Sequence, residues 1–427
     1  MSDIIVVGAG PVGLWTAIQL KLHYPALQIL MLEKHAKYQR SHTVKIDETS
    51  FKESHSNPEF QKLIAPLVGL VSTNVLEQTL KNYALKLGIE IRNEAVTSCQ
   101  ALVEKYPEAK IVIGADGSHS VVRKDIFEDK KNNKDLQYVA EIKYEVEGDS
   151  QPFSIWSQIY DPLLKVNHLV TEHVGKQNQN GKTPVTLRVF VDQNTFNGIT
   201  QATFKDPYYW TKEDKNKMDP KLVQTIEIWL KEREKTFKDK IVKNSIKISS
   251  LKLNAYHSEK VVDQKYNKQW VLVGDAAFGV PYFRSLNNGL LCGSKLAEKI
   301  SAFLQGQFDE TQTSVLGFRW TKKISPLGSY STFVSELAKY EKWIAALKTE
   351  GINVLSTQLS MVKTLLGIGI IGKQEEASVP GRMMVVGLTA IAGACLYSAM
   401  LSTKDKDEKK NFKTKTETPS STKPKCK

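Results

Sequence analysis

Ile4-Ile5-Val6-Val7-Gly8-Ala9-Gly10-Pro11-Val12-Gly13 opens the chain, and Glu33 follows twenty residues after the last of these glycines. Four consecutive apolar residues fit a strand buried on both faces. Residues 12–24 have helical apolar spacing, and residues 28–32 form a second apolar run. Strand, glycine turn, helix and strand make a βαβ unit with a dinucleotide fingerprint. Gly8 makes the tight turn, Gly10 lets backbone approach a pyrophosphate, and Gly13 lets the helix lie close to the strand. Free N–H groups and the helix dipole then favour the phosphates. Glu33 can accept both hydroxyls of an adenosine ribose, and an acid here argues against a 2′-phosphate. Gly8, Gly10, Pro11, Val12, Gly13, Glu33 and the adjacent Lys34 are therefore the expected contacts. A purely structural glycine turn is the competing reading, and the motif alone leaves FAD and NAD both open.

Working outward, residues 33–57 show no clear periodicity. Residues 75–87 read as a helix with Leu76, Leu80, Tyr83, Ala84 and Leu87 on one face. Residues 89–91 start a strand, and residues 111–115 form another all-apolar one, ended by Asp116-Gly117. From 136 to 263 short alternating or β-branched runs replace this pattern, with a charged amphipathic helix at 221–237. Residues 271–273 return to a buried strand before Gly274-Asp275, and a helix is expected over 288–304. Residues 311–372 read as helical. The fold class is α/β: a Rossmann-like nucleotide domain (1–135 and 264–310) with an inserted, mostly antiparallel sheet domain (136–263). A helical region (311–381), a membrane helix (382–401) and a basic tail (402–427) complete the expected order.

Two later motifs bear on the cofactor: Gly114-Ala115-Asp116-Gly117-Ser118-His119-Ser120-Val121-Val122-Arg123 and Val273-Gly274-Asp275-Ala276-Ala277. With the glycine turn they stand in the order found in the class A FAD-dependent monooxygenases, the p-hydroxybenzoate hydroxylase fold, which the chain resembles over residues 3–340. The resemblance implies FAD, with Asp275 on the ribityl hydroxyls, and Asp116, Gly117 and Arg123 serving FAD and the pyridine nucleotide. Gly274 belongs to the same late motif. Arg40 matches an arginine near the flavin, with spacing similar to the MICAL-type oxidases. The loop Pro281-Tyr282-Phe283-Arg284-Ser285-Leu286-Asn287-Asn288-Gly289 is similar to that of the kynurenine 3-monooxygenases, placing Pro281, Asn287 and Asn288 at the cofactor. Arg284-Ser285 stand where those relatives have glycines, Thr73 where they have an arginine, and Cys292 where an aspartate is usual. Tyr282 and Phe283 are expected to wall the substrate pocket, with Arg284 placing a positive charge by the flavin ring.

The implied activity is hydroxylation of an aromatic or similar small molecule by O2, with NADPH or NADH as electron donor. No catalytic side chain and no metal are expected, because the cofactor carries the chemistry. The rival readings are a flavin oxidase or reductase that makes hydrogen peroxide or reduces a membrane-soluble acceptor, and a degenerate flavoprotein that binds a protein partner.

The 427 residues carry a net charge of +13, and nine Lys against four acidic residues after 401 account for +5 of it. No aromatic-interleaved basic run suggests a nucleic acid partner. Cys99, Cys292, Cys395 and Cys426 have neither metal nor redox spacing, which fits a reducing compartment. The N-terminus has no signal-peptide pattern. Residues 383–401 are nineteen uncharged residues, about 28 Å long as a helix against a hydrocarbon core of about 30 Å. With the basic tail they read as a tail anchor in a lipid bilayer. The flavin domain would face the cytosol, as on an outer mitochondrial membrane.

Overall fold

The computed structural model describes residues 2–36, 43–153, 166–281, 284–315 and 318–365. These described residues divide into two compact units, those of 2–136 with 253–345, and those of 137–252 with 346–365.

The first unit begins with β1 (Ile4–Val7), α1 (Pro11–His23) and β2 (Ile29–Glu33). After β3 (Thr43–Ile46) and a 3-10 turn at Glu48–Phe51 come α2 (Pro58–Ile64), β4 (Gly69–Ser72) and α3 (Thr73–Lys86). β5 (Glu90–Asn93), α4 (Cys99–Lys105), β6 (Ile111–Gly114) and α5 (Val121–Ile126) follow. The long β7 (Lys131–Glu147) then leads into the second unit.

There, β8 (Leu169–Val174), β9 (Lys182–Val191), α6 (Gln193–Gly198), β10 (Tyr208–Tyr209), α7 (Lys212–Lys215), α8 (Pro220–Phe237), β11 (Lys240–Ile241) and β12 (Lys247–Ser258) succeed one another. The chain returns through β13 (Val262–Lys265), β14 (Lys268–Leu272), β15 (Phe278–Gly279) and α9 (Arg284–Leu304). It continues with β16 (Asp309–Val315), β17 (Phe318–Ile324) and α10 (Pro326–Leu365).

The first unit is built on a six-stranded sheet of order β13-β14-β6-β1-β2-β5. Every pair is parallel except the β13–β14 edge. All four residues of β1 and of β6 are buried, as the unbroken apolar runs require for a sheet covered on both faces. α1 and α9 lie against each other through absent side chains. A Cβ on Gly289 would come within 2.6 Å of Val12 Cγ2, and one on Gly293 within 2.6 Å of Thr16 Oγ1. Trp15, fully buried, donates its indole N–H to Ser294 at 2.9 Å across this contact.

The second unit carries the strand order β10-β12-β7-β9-β8, with β11 also on β7. β7, β9 and β8 are antiparallel neighbours. Ala140, Ile142, Tyr144 and Val146 alternate along β7 into a core shared with Leu222, Ile226 and Trp229 of α8. This is period-2 against period-3.6 packing. Arg233 of α8 is buried with two carboxylates, Glu172 at 2.8 Å and Asp239 at 2.9 Å.

Three stretches differ from the sequence reading. Residues 309–324 form the antiparallel hairpin β16–β17 rather than helix. Thr311-Gln312-Thr313-Ser314-Val315 is rich in β-branched residues, and the helix starts only at Pro326, whose missing N–H is harmless in a first turn. Within residues 33–57 the structure has β3 and the 3-10 turn. α2 is set by the Asn57 side chain, which accepts from Phe60 N–H. Among the described residues no helix is long and apolar enough to cross a membrane. The proposed anchor at 382–401 and the basic tail lie outside them.

Candidate functional site

A cleft of about 610 Å³ opens at the carboxyl ends of the parallel strands, where open α/β sheets hold their ligands. Its size is that of a cofactor site. The floor is the glycine turn. Gly8 has φ +101°, and a Cβ there would lie 2.5 Å from the Ala115 carbonyl oxygen. A Cβ on Gly13 would strike the Gly8 carbonyl at 2.2 Å. Gly10 has nothing within 4 Å of its Cβ position, and it sits in extended conformation ahead of Pro11 with no side-chain cap. The α1 N-terminus therefore faces open space, as anion binding needs. Pro11 and Val12 also line the cleft.

Glu33 ends β2 with its carboxylate held by backbone: Ala9 N–H donates to Oε2 at 2.8 Å and His35 N–H to Oε1 at 2.9 Å. Beside it, exposed Lys34 lines the rim. Across the cleft, Asp116 accepts from Val121 and Val122 N–H through Oδ2 at 2.7 and 3.3 Å, capping α5. Its other oxygen, Oδ1, is buried with no hydrogen-bond partner. Burial also raises its pKa above the ordinary aspartate value. Gly117, at φ +80°, and Asp275 complete this wall.

Other expected residues lie behind the cleft. Arg123 is 1% exposed. Its guanidinium donates to the carbonyls of Ser118, Asp275 and Ala276 and pairs with Asp129 at 2.8 Å. It thus ties the Asp-Gly loop to the Gly-Asp loop and does not line the cleft. Gly13 and Gly274 serve close approach, the latter with Val12 against its Cα. Asn287 accepts from Asp47 N–H and Ser50 Oγ and donates to the Lys45 carbonyl, so it anchors the loop after β3. Asn288 is buried with Nδ2 unpartnered. Pro281 is half-buried outside the cleft lining.

Arg284 forms a two-bond fork with the buried Glu341 of α10, both contacts at 2.5 Å. That pairing commits the charge expected by the flavin ring to a carboxylate. In its place Ser285 and Leu286 reach the cleft. Arg40, Tyr282 and Phe283 lie outside the described residues.

On the α3 wall the resemblance points to Thr73 alone, and Glu77, Lys81 and Leu85 are not expected from it. Thr73, Glu77, Lys81 and Leu85 line the cleft, four residues apart on one helical stripe. Thr73 and Glu77 fall on the buried face of α3 with Leu76, Leu80 and Ala84, and Lys81 and Leu85 turn from it toward what reads in the sequence as solvent.

No protein-family model matches the chain. One stretch is 30% identical over 162 residues to rifampicin monooxygenase of Streptomyces venezuelae, covering 29% of this chain and 33% of that protein. The chain thus matches about a third of the length of this curated relative. Among solved structures, the Diels-Alderase PyrE3 of pyrroindomycin biosynthesis aligns with TM-score 0.52 at 15% identity, over 91% of this chain and 80% of that one. A flavoprotein/dehydrogenase from Cytophaga hutchinsonii aligns with TM-score 0.52 at 12% identity, over 91% and 93%. AlpK aligns with TM-score 0.51 at 15%, over 91% and 76%. The chain has the fold of the class A flavin monooxygenases. The cofactor of that flavin monooxygenase fold is FAD, and this cleft fits its adenosine and pyrophosphate parts. The fit rests on the open Gly10 turn, the fixed Glu33 carboxylate, and two buried polar atoms without partners on the cleft walls, Asp116 Oδ1 and Thr73 Oγ1. A buried polar atom left unpaired costs about 1–3 kcal/mol, which a ligand oxygen or hydroxyl would recover.

Proposed function

We propose that this protein is a FAD-dependent monooxygenase that takes electrons from NADH or NADPH and hydroxylates an aromatic or similar small molecule with O2. The carrying observation is the cleft itself, where the glycine turn, Glu33 and the unpartnered Asp116 oxygen meet the needs of one dinucleotide. FAD would supply the redox chemistry; the protein's own groups bind and orient it. The α1 N-terminus would take the pyrophosphate, Glu33 the ribose hydroxyls, and Asp275 the ribityl chain. Arg123, by clamping both motif loops, would keep Asp116 and Asp275 at a fixed separation. Ser285, which accepts from Val280 N–H at 2.8 Å and donates to its carbonyl at 3.0 Å, would hold the loop at the ring end.

The test is direct. The purified full chain should carry or take up FAD, and NADPH or NADH should bleach the flavin under anaerobic conditions, faster with an aromatic ligand. Hydroxylated product with matching O2 uptake supports the monooxygenase. Hydrogen peroxide alone, whatever ligand is added, would replace it with the oxidase reading. FAD binding without reduction would leave a binding module.

We further propose that the chain sits at a lipid bilayer, held by residues 382–401. Supporting this, the solvent side of α10 exposes Tyr340 and Trp343, 43% and 56% accessible, with Leu347 one turn on. Tyr and Trp favour membrane–water interfaces. Sedimentation of the full chain with anionic vesicles, against the chain ending at 381, tests the anchor; equal pelleting would remove it.

A further inference from the structure

Glu77 is a carboxyl that the adenosine motif does not use. It is 8% exposed, lies on the cleft wall, and hydrogen-bonds to no described residue. One turn before it on α3, Thr73 presents its own unpartnered hydroxyl to the same cleft. An ionised carboxylate here would face a ligand that brings two phosphate charges, at a position already near Glu33. The charged neighbours do not neutralise it well. Lys81 is one turn further along α3, and Glu33, Lys34 and His35 sit at the end of β2. From β5 comes Arg92, bonded to Glu90, and just after it Glu94, bonded to Lys105. Asp116, His119 and Asp275 close the far wall. Counting the lining, five carboxylates (Glu33, Glu77, Glu94, Asp116, Asp275) oppose three permanent cations (Lys34, Lys81, Arg92). An anionic cofactor therefore enters an acidic cleft.

We propose that Glu77 meets FAD as the neutral acid, donating a hydrogen bond to a cofactor oxygen, so that FAD binding takes up a proton. This rests on the flavoprotein reading and adds to it a residue and a pH dependence. Before any ligand enters, burial first, and Glu33 with it, already hold the Glu77 carboxyl above the ordinary glutamate value, against the opposing pull of Lys81. The proposal makes Thr73 and Glu77 a pair of donors on one helical face, doing by neutral hydrogen bonds what a cation at position 73 would do by charge. For a single proton, linkage allows the FAD dissociation constant to rise at most about tenfold per pH unit above the free-state pKa of Glu77. It levels off at the bound-state pKa.

The experiment is FAD titration of the full apoprotein by calorimetry and flavin fluorescence, from pH 5.5 to 8.5. Wild type and Glu77→Gln are compared in two buffers of different ionisation heat. The expected result is net proton uptake by wild type near pH 7 that shrinks in E77Q. E77Q should also bind FAD at least tenfold more tightly than wild type at pH 8.5, because its amide is a neutral donor at every pH. Proton uptake by any other group of the cleft persists in E77Q and cancels in the difference. Equal proton uptake in the two proteins, or weaker binding by E77Q at pH 8.5 with native circular dichroism, overturns the proposal and leaves the flavoprotein reading standing. Failure of wild type to bind FAD at any pH overturns both. Should E77Q not fold, wild-type proton uptake decides alone: none near pH 7 refutes it.

Discussion

Replacing Arg284 by Met should destabilise the protein by about 3–4 kcal/mol. The reason is the asymmetry of its pair. The Glu341 side chain is 2% exposed and that of Arg284 21%. Without the guanidinium, Glu341 is a buried, uncompensated carboxylate, and breaking a buried pair by removing one partner costs about 3–5 kcal/mol; the partial exposure of Arg284 puts this pair at the lower end. The opposite variant, Glu341→Gln, leaves a guanidinium that can still reach water, and should cost about 1–2 kcal/mol. Replacing both partners with apolar residues of similar volume, Arg284→Met with Glu341→Leu, should return stability to within about 1–2 kcal/mol of wild type. Urea unfolding of the intact chain at pH 7 measures all four proteins. A deficit in R284M below about 1 kcal/mol at pH 7, or a double variant no more stable than R284M, would refute the buried-pair account.

Three further outcomes follow from single contacts. Gly8→Ala must place a Cβ 2.5 Å from the Ala115 carbonyl at φ +101°, so FAD binding should be lost together with a lowered melting temperature, read by calorimetry with and without FAD. Arg233→Met strands Glu172 and Asp239, 3% and 2% exposed, and should cost about 3–5 kcal/mol, visible as loss of the second unit's protection in hydrogen exchange. Cys99 is buried with its thiol pushed up to about 12, and Cys292 is raised further by complete burial. Since the thiolate is the reactive form, mass spectrometry after iodoacetamide at pH 8 should find both unmodified in the folded protein and alkylated in urea.

How much was legible follows from where each determinant lies. The β1–α1–β2 unit and its glycines are local: a buried strand, a turn with positive φ at Gly8 and a helix are all encoded within thirty residues. The sheet order was not, because β14 joins β6 from across the whole second unit and nothing in the pattern of residues 268–272 names that neighbour. Arg123 shows the same limit for a side chain. Its place in a motif suggested a ligand contact, but its donors close on the carbonyls of Asp275 and Ala276, 152 and 153 residues away. Burying five N–H donors is favourable only when acceptors are brought to them, and those acceptors come from the other motif. The two motifs are thus coupled by one residue, and a change at either should disturb both.

The α3 wall gives the complementary lesson. Leu76, Leu80, Tyr83 and Ala84 are buried as their spacing requires. Thr73 and Glu77 share that face by their spacing from Leu76, Leu80 and Ala84, and the stripe turns away from the core only at Lys81 and Leu85. Whether such a side meets water or a cleft depends on what stands opposite, here the glycine turn and Glu33. Thr73 and Glu77 are 3% and 8% exposed, as residues on the buried face are, yet they are polar where the helical pattern asks for apolar side chains. Buried polar groups persist where something satisfies them, and the protein supplies no partner for the Thr73 hydroxyl. The remaining candidate is a ligand that brings its own oxygens, which is why the pH profile of FAD affinity is the measurement that separates a cofactor wall from an accident of packing.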